Sequence, residues 1–173
     1  LCVECEREMQ SASEEEKSAL LSDKRDLENL MVARDATSRY AIEKQIEQVL
    51  REVDLMDVTD GTQLKIDPVK VENKIFDKRL KERVLFDVRR LYQGVNDALD
   101  RLAGENMLNV DKFAKSIKRM YEDASESQLS QSAIYNLLVE TLFEKTGRKY
   151  REACEIIISY FVQRCEVFDE ITK

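Results

Sequence analysis

The closing stretch of the chain, residues 153–171 (ACEIIISYFVQRCEVFDEI), constrains the fold more than any other segment. Three consecutive isoleucines are followed there by Tyr160, Phe161 and Val162. A helix on a protein surface needs a single apolar stripe, but this segment carries apolar side chains on several sides. It therefore either runs through the middle of a helical core or presents a second face to another molecule. The residues predicted for such a partner interface are Ile156, Tyr160, Phe161, Val167 and Phe168.

Composition predicts an all-α protein. The 173 residues include one proline and four glycines, and 36% of them are charged. Such a chain is long enough for one ordinary domain with a real core, and residues that enter helices at little cost dominate it. We expect a helical bundle of about five to seven helices, with an N-terminal helical hairpin as an arm.

The N-terminal third predicts that hairpin. Ser13, with Glu16 three residues later, is typical of a capping box that opens a helix over about 14–34. Thr37 or Ser38 is positioned to cap a second helix with an apolar stripe from Ile42 to Val53. Because residues 57–66 resemble a loop, we predict two regions: 1–58, a tail and hairpin that end a preceding module, and 65–173, a C-terminal helical domain. The chain begins with Leu rather than Met, so we expect it to be part of a longer protein.

The C-terminal region predicts four further helical segments. Asp67-Pro68 marks a helix start, and apolar spacing continues from 71 to 102, which predicts one long helix, with a break near 76–78 as the alternative. Gly104 is the expected left-handed cap of that helix. Asn109 or Asp111 should start the next helix, another is expected over about 131–145, and the last over about 148–168.

The residues that enzymes commonly use are scarce. The chain contains no histidine, so Ser-His and Cys-His pairs and imidazole metal ligands are excluded. Its four scattered glycines cannot form a phosphate-binding loop. The abundant carboxylates show no paired arrangement, so we interpret the chain as non-catalytic.

Charge and hydropathy argue against nucleic acid and membrane partners. The net charge is −7, and the cations at 78–83 and 89–90 have Asp77, Glu82 and Asp87 beside them in sequence, which predicts a solvated, internally neutralised face. Direct nucleic acid binding is therefore disfavoured. No apolar run reaches the roughly 18 to 20 residues that span a bilayer, and no signal peptide opens the chain. A cytoplasmic location is expected, because the four cysteines do not form a secreted disulfide scaffold.

Cysteine spacing leaves one metal hypothesis open. Cys2 and Cys5 have the spacing of half a zinc knuckle, whose remaining ligands would lie upstream. The alternative is a pair of ordinary reduced thiols. Cys154 and Cys165 resemble small buried hydrophobic residues, and no other cofactor is predicted.

Several short motifs resemble one known family, the C-terminal domains of bacterial ABC-three-component systems, which are related to Lamassu-type defence operons. The resemblance covers roughly residues 65 to 171. The matching segments are Lys74-Ile75, residues 84–88 leading to Tyr92, Phe113 with Ile117-Lys118 and Tyr121, Ile134-Tyr135 with Leu138, Lys145-Thr146-Gly147, and residues 153–157, 160–163 and 165–168.

The resemblance implies a docking domain. Members of this family join a variable N-terminal effector, often a nuclease or protease, to a helical domain that docks on an SMC/Rad50-like ABC ATPase and a small middle component. We therefore expect a non-enzymatic protein-interaction domain in anti-phage or anti-plasmid defence, with those two components as partners. Two alternatives remain: a structural protein that forms homo-oligomers, and a fragment of a nuclease with a zinc knuckle.

Overall fold

A computed structural model describes residues 12–40, 46, 68–148, 150–164 and 167–169. This part of the chain contains six α-helices and no strand, which confirms the predicted all-α bundle. The helices are α1 (Glu14–Ser38), α2 (Val69–Lys74), α3 (Lys78–Gly104), α4 (Val110–Ser125), α5 (Gln131–Lys145) and α6 (Arg151–Arg164).

Side-chain caps fix the beginnings of four helices. Ser13 and Glu16 form the predicted capping box, in which the Ser13 amide donates to Glu16 Oε2 at 2.8 Å and the Glu16 amide donates to Ser13 Oγ at 3.2 Å. Asp77, Asn109 and Ser130 cap α3, α4 and α5 by accepting backbone N–H bonds. Each cap satisfies an amide that has no partner within its helix.

The break near 76–78, which was the alternative to one long helix, is present. Helix α2 ends at Lys74, and Ile75 is extended. The side chain of Gln131 then holds the linker, because it accepts a bond from the Phe76 amide at 2.7 Å and donates to the Lys74 carbonyl at 2.8 Å. The short linker lets α2 turn away from α3 and reach α6.

The end of α3 differs from the prediction. Gly104 is the last helical residue, and the left-handed residue is Asn106, at φ 55°. The Met107 amide donates to the Leu102 carbonyl and the Asn106 amide to the Ala103 carbonyl. These two hydrogen bonds define a Schellman motif. Asparagine tolerates this conformation because its short polar side chain is compatible with positive φ.

Two other helix boundaries were wrong. Helix α1 continues to Ser38, so Thr37 and Ser38 form its last turn. Helix α6 is shorter than predicted and ends at Arg164, and Phe168 adopts a positive φ of 58°. The predicted second helix of the hairpin and the loop at 57–66 lie outside the described residues except for Ile46, which is buried.

Helix α6 occupies the centre of the bundle. It packs against α3 on one side and α5 on another, and α2 crosses it. Helices α4 and α5 pack on each other, and α1 lies against both of them. The long apolar segment that closes the sequence is therefore enclosed by helices of its own chain.

Candidate functional site

The five residues predicted to form a partner interface lie in the interior. Phe161 and Val167 are fully buried, Tyr160 and Phe168 nearly so, and Ile156 is 9% exposed. Of the two alternatives that the closing segment left open, the structure therefore shows the central core helix. These five side chains offer no exposed apolar face in this conformation, and a docking surface has to be sought elsewhere.

Aromatic contacts explain why these residues are enclosed. Tyr160 packs on Tyr92 of α3 with ring centroids 4.7 Å apart, and Phe161 meets Phe113 of α4 edge to face at 5.3 Å. The Tyr160 hydroxyl donates to Asn96 Oδ1 at 3.0 Å, so its polar end is satisfied as well. Such pairs contribute roughly 0.5 to 1.5 kcal/mol beyond the burial of their area.

A buried lysine fastens α2 to the end of α6. Lys74 is 1% exposed, and its Nζ donates to the carbonyls of Val162 at 3.0 Å and Val167 at 3.2 Å. The last carbonyls of a helix have no partner within it and carry partial negative charge, which favours a cation there. Lys74 therefore stabilises the point where α6 stops.

A buried polar network joins α3, α5 and α6. The Ser159 hydroxyl donates to Asp87 Oδ2 at 2.8 Å and lies 2.9 Å from the Tyr135 hydroxyl, which also contacts the Glu155 carbonyl. Burial raises the pKa of the Asp87 carboxyl and of the Tyr135 phenol. Ser159 and Tyr135 are completely buried, so their hydroxyl groups are closed to a substrate and act as links between the helices.

Helix α1 is the exception to this burial. Residues 18–28 are all exposed, and five large apolar side chains of the helix are about half exposed or more. Those side chains are Leu20, Leu21, Leu27, Met31 and Val32, with exposures of 49 to 72%. A concentration of this kind on one helix is typical of a surface that binds another protein.

The last turns of α1 attach it firmly to the bundle. Arg34 forms an ion pair with Glu144 at 2.5 Å, and the hydroxyl groups of Thr37 and Thr141 lie 3.2 Å apart in the interior. The Lys145 ammonium donates to the Ser38 carbonyl at 2.7 Å. The first half of α1 therefore projects from an anchored base.

A groove runs between α1 and α5. Two adjoining cavities of about 790 and 400 Å³ share Leu30 and Ala133 as lining residues. Leu27, Leu129 and Leu137 add apolar surface to this groove, and Asp23 and Asp26 lie at one end. The groove is apolar along Leu27, Leu30 and Leu137, and its second cavity is also lined by Arg34, Glu140, Glu144 and Arg151, so it suits a short amphipathic helix from a partner.

Cysteine chemistry is not evident in the described residues. Cys154 is fully buried, as predicted, and burial raises the pKa of its thiol to about 11, so it is protonated at neutral pH. Cys2, Cys5 and Cys165 lie outside the described residues, so the zinc knuckle stays a prediction. No metal-ligating cluster occurs among the residues that the structure describes.

The apolar residues of α1 were predicted as the stripe of a hairpin helix, and their exposure was not predicted. One signal was available in the sequence. Lys24 interrupts the apolar stripe of α1, and Arg25, Asp26 and Glu28 place charged residues in the turns of the helix between Leu21 and Leu30. Such a helix cannot enter a core without burying charge.

None of the described helices has the length and apolar character that a membrane-spanning segment requires.

Comparison with known proteins gives one match. Neither the curated proteins nor the solved structures contain a significant match to this chain. A family model described as C-terminal domain 11 of the ABC-three component (ABC-3C) systems matches residues 33–168, from the anchored base of α1 to the turn after α6. That match covers most of the chain, including α2 to α6 and the last turns of α1 but not the exposed first part of α1, and the chain therefore belongs to the family of C-terminal domains 11 of the ABC-3C systems.

Proposed function

We propose that this chain is a non-enzymatic docking domain that attaches an effector to the ABC ATPase and middle component of its system, in cytoplasmic anti-phage or anti-plasmid defence. Membership of a three-component family supports the existence of such partners. The observation that carries the proposal is the exposed apolar half of α1 beside the groove against α5.

The geometry supports docking through α1. A partner helix in the groove would cover Leu27 and Leu30 and remove apolar area from water at roughly 25 cal/mol per Å². The base of α1 is already fixed by Arg34 and Thr37, so little backbone order is lost on binding. The surface is therefore suited to hold a partner without rearranging the core.

Co-purification tests the proposal. The tagged full chain is produced with the ABC ATPase and the middle component, and we expect it to retain at least one of them. Leu27→Glu and Met31→Glu place a charge in the apolar face and should reduce retention at least tenfold. Val69→Glu is the matched control, since Val69 is also an exposed apolar residue, 45% accessible, on α2.

Three results would contradict the proposal. The first is a wild-type chain that retains neither component, and the second is a folded Leu27→Glu variant that retains them as well as the control does. The third would come from light scattering: a concentration-independent dimer that Leu27→Glu disrupts would assign the surface to a second copy of the chain instead. Circular dichroism establishes that each variant is folded.

A further inference from the structure

The first half of α3 presents a basic surface on the side away from the core. Lys78, Arg79, Arg89 and Arg90 are exposed, and none of them has a salt-bridge partner within the described residues. Arg79, Phe86 and Arg90 follow the spacing that places residues on one side of a helix, and Arg89 borders that side as the i+3 neighbour of Phe86. Arg83, by contrast, forms an ion pair with Glu155 of α6.

The carboxylates that were expected to neutralise these cations serve other purposes. Asp77 accepts bonds from the Leu80 amide at 3.0 Å and the Ser132 hydroxyl at 2.7 Å, as the cap of α3. Asp87 points to Ser159 of α6. Asp77 nonetheless keeps its charge and still attracts Arg79, and Glu82 lies nearby, so these two carboxylates offset part of the charge of the exposed cations of residues 78–90 and leave a net positive surface.

An aromatic ring lies among the cations. Phe86 is 56% exposed, and the guanidinium carbon of Arg90 lies 5.0 Å from the ring centroid. This cation–π contact holds Arg90 beside the ring of Phe86. The N–H donors of the guanidinium then lie at the edge of the ring, where a carboxylate can reach them. The surface therefore combines guanidinium groups with an apolar contact site.

We propose that this basic surface of α3, formed by Arg79, Phe86, Arg89 and Arg90, binds a short acidic segment of a protein partner. Carboxylates of the segment pair with Arg89 and Arg90, because a guanidinium matches a carboxylate with two parallel hydrogen bonds. An apolar side chain of the segment covers the open side of Phe86. From Arg79 to Arg90 the helix rises about 16 Å, which equals about five residues of extended chain.

Charge favours an acidic protein segment over a nucleic acid strand. The chain as a whole has a net charge of −7, and the same side of α3 continues with Asp97 and Asp100 beyond Gln93. A polyphosphate that extended past the basic surface would meet these carboxylates. A segment of five or six residues ends before it reaches them.

Fluorescence anisotropy on the full chain tests the proposal. The probe is a labelled peptide in which glutamate alternates with leucine, and labelled oligothymidylate of similar length represents nucleic acid. We expect the peptide to bind, and its affinity to fall between about 50 mM and about 200 mM salt. Arg89→Glu with Arg90→Glu should lower the affinity at least tenfold, and Phe86→Ala a few-fold with no change in charge.

A charge-matched control separates a specific site from general attraction. Lys115→Glu with Lys118→Glu changes two exposed cations of α4 by the same total charge and should leave peptide affinity within about twofold of the wild type. An equal loss in this control, absence of peptide binding, or tighter binding of oligothymidylate would each overturn the proposal. Because α1 is intact in all these variants, a failure here leaves the co-purification result on α1 unaffected.

Discussion

Helices α6 and α1 are both rich in large apolar residues, but they occupy opposite environments. In α6 every residue from Ala153 to Gln163 except Glu155 is buried, whereas α1 leaves Leu27 and Met31 more than half exposed. In α6 the apolar residues are consecutive, so all sides of the helix need cover. In α1 the apolar residues are spread over several sides of the helix, and each of those sides also carries charged residues, so burial of one side would bury charge as well. The comparison teaches that the arrangement of charge decides which apolar helix forms the core.

The largest expected effect is in α6. Phe161→Ala removes a fully buried ring that contacts Phe113, and we expect the free energy of unfolding to fall by about 3 to 5 kcal/mol. Urea denaturation followed by circular dichroism measures this change. A loss below about 1 kcal/mol would contradict the central position of α6.

The end of α6 provides the second test. Lys74→Met removes the donor to the Val162 and Val167 carbonyls, and we expect a loss of about 1 to 3 kcal/mol because these buried acceptors lose a partner. Lys78→Met changes an exposed lysine and should have little effect. If Lys74→Met instead increased stability, burial of the ammonium would cost more than its hydrogen bonds contribute.

The half-buried carboxyl of Asp87 makes the stability of the α3–α6 contact depend on pH. Its pKa is raised by burial, so the folded chain holds this proton more tightly than the unfolded chain does. The contribution of Asp87 to stability is therefore greatest below the ordinary carboxyl pKa and is lost as pH rises through the folded value.

The Asp87→Asn variant tests the direction of this pH dependence. The amide can still accept the Ser159 bond but does not titrate, so the variant should gain stability relative to wild type as the pH rises above about 4, the ordinary carboxyl value, and through the raised pKa of Asp87. Denaturation at several pH values gives the difference. A difference that stays constant with pH would contradict the buried titration.

The smallest effect is expected in α1. Leu27→Ala removes a side chain that is 62% exposed, and the free energy of unfolding should change by less than about 0.5 kcal/mol. The same denaturation experiment that is used for Phe161→Ala measures it. A loss as large as that in α6 would show that α1 is part of the core and would remove the basis for docking through it.

Much of the fold could be predicted because local signals and the apolar pattern agree. Ser13 with Glu16, the Asp77 cap of α3 and the Asn109 cap of α4 depend on contacts within a few residues, and the structure contains all three. The end of α6 could not be predicted, since it depends on Lys74, which is distant in sequence. The hydrogen bond between Asp87 and Ser159 could not be predicted for the same reason, because the two residues are distant in sequence.

The candidate site was less accessible to sequence reasoning. Exposure depends on neighbouring helices, and the charged residues among the apolar residues of α1 indicated that this helix would pack poorly but not which of its side chains stay uncovered. For Ile156 and Tyr160 the sequence indicated that cover was needed but not that α3 and α5 supply it. Only the three-dimensional arrangement assigns the uncovered surface to α1 and not to α6.

The attachment of α1 at one end has a mechanical consequence. Its exposed half extends about 22 Å from the turns that Arg34 and Thr37 secure, at ~1.5 Å of rise per residue. A load applied near Leu20 acts on this lever and is resisted at Glu144 and Thr141 of α5, which lies directly on α6. If a partner binds near the tip of α1, the load reaches the buried centre of the bundle through α5 and not through the surface helices alone.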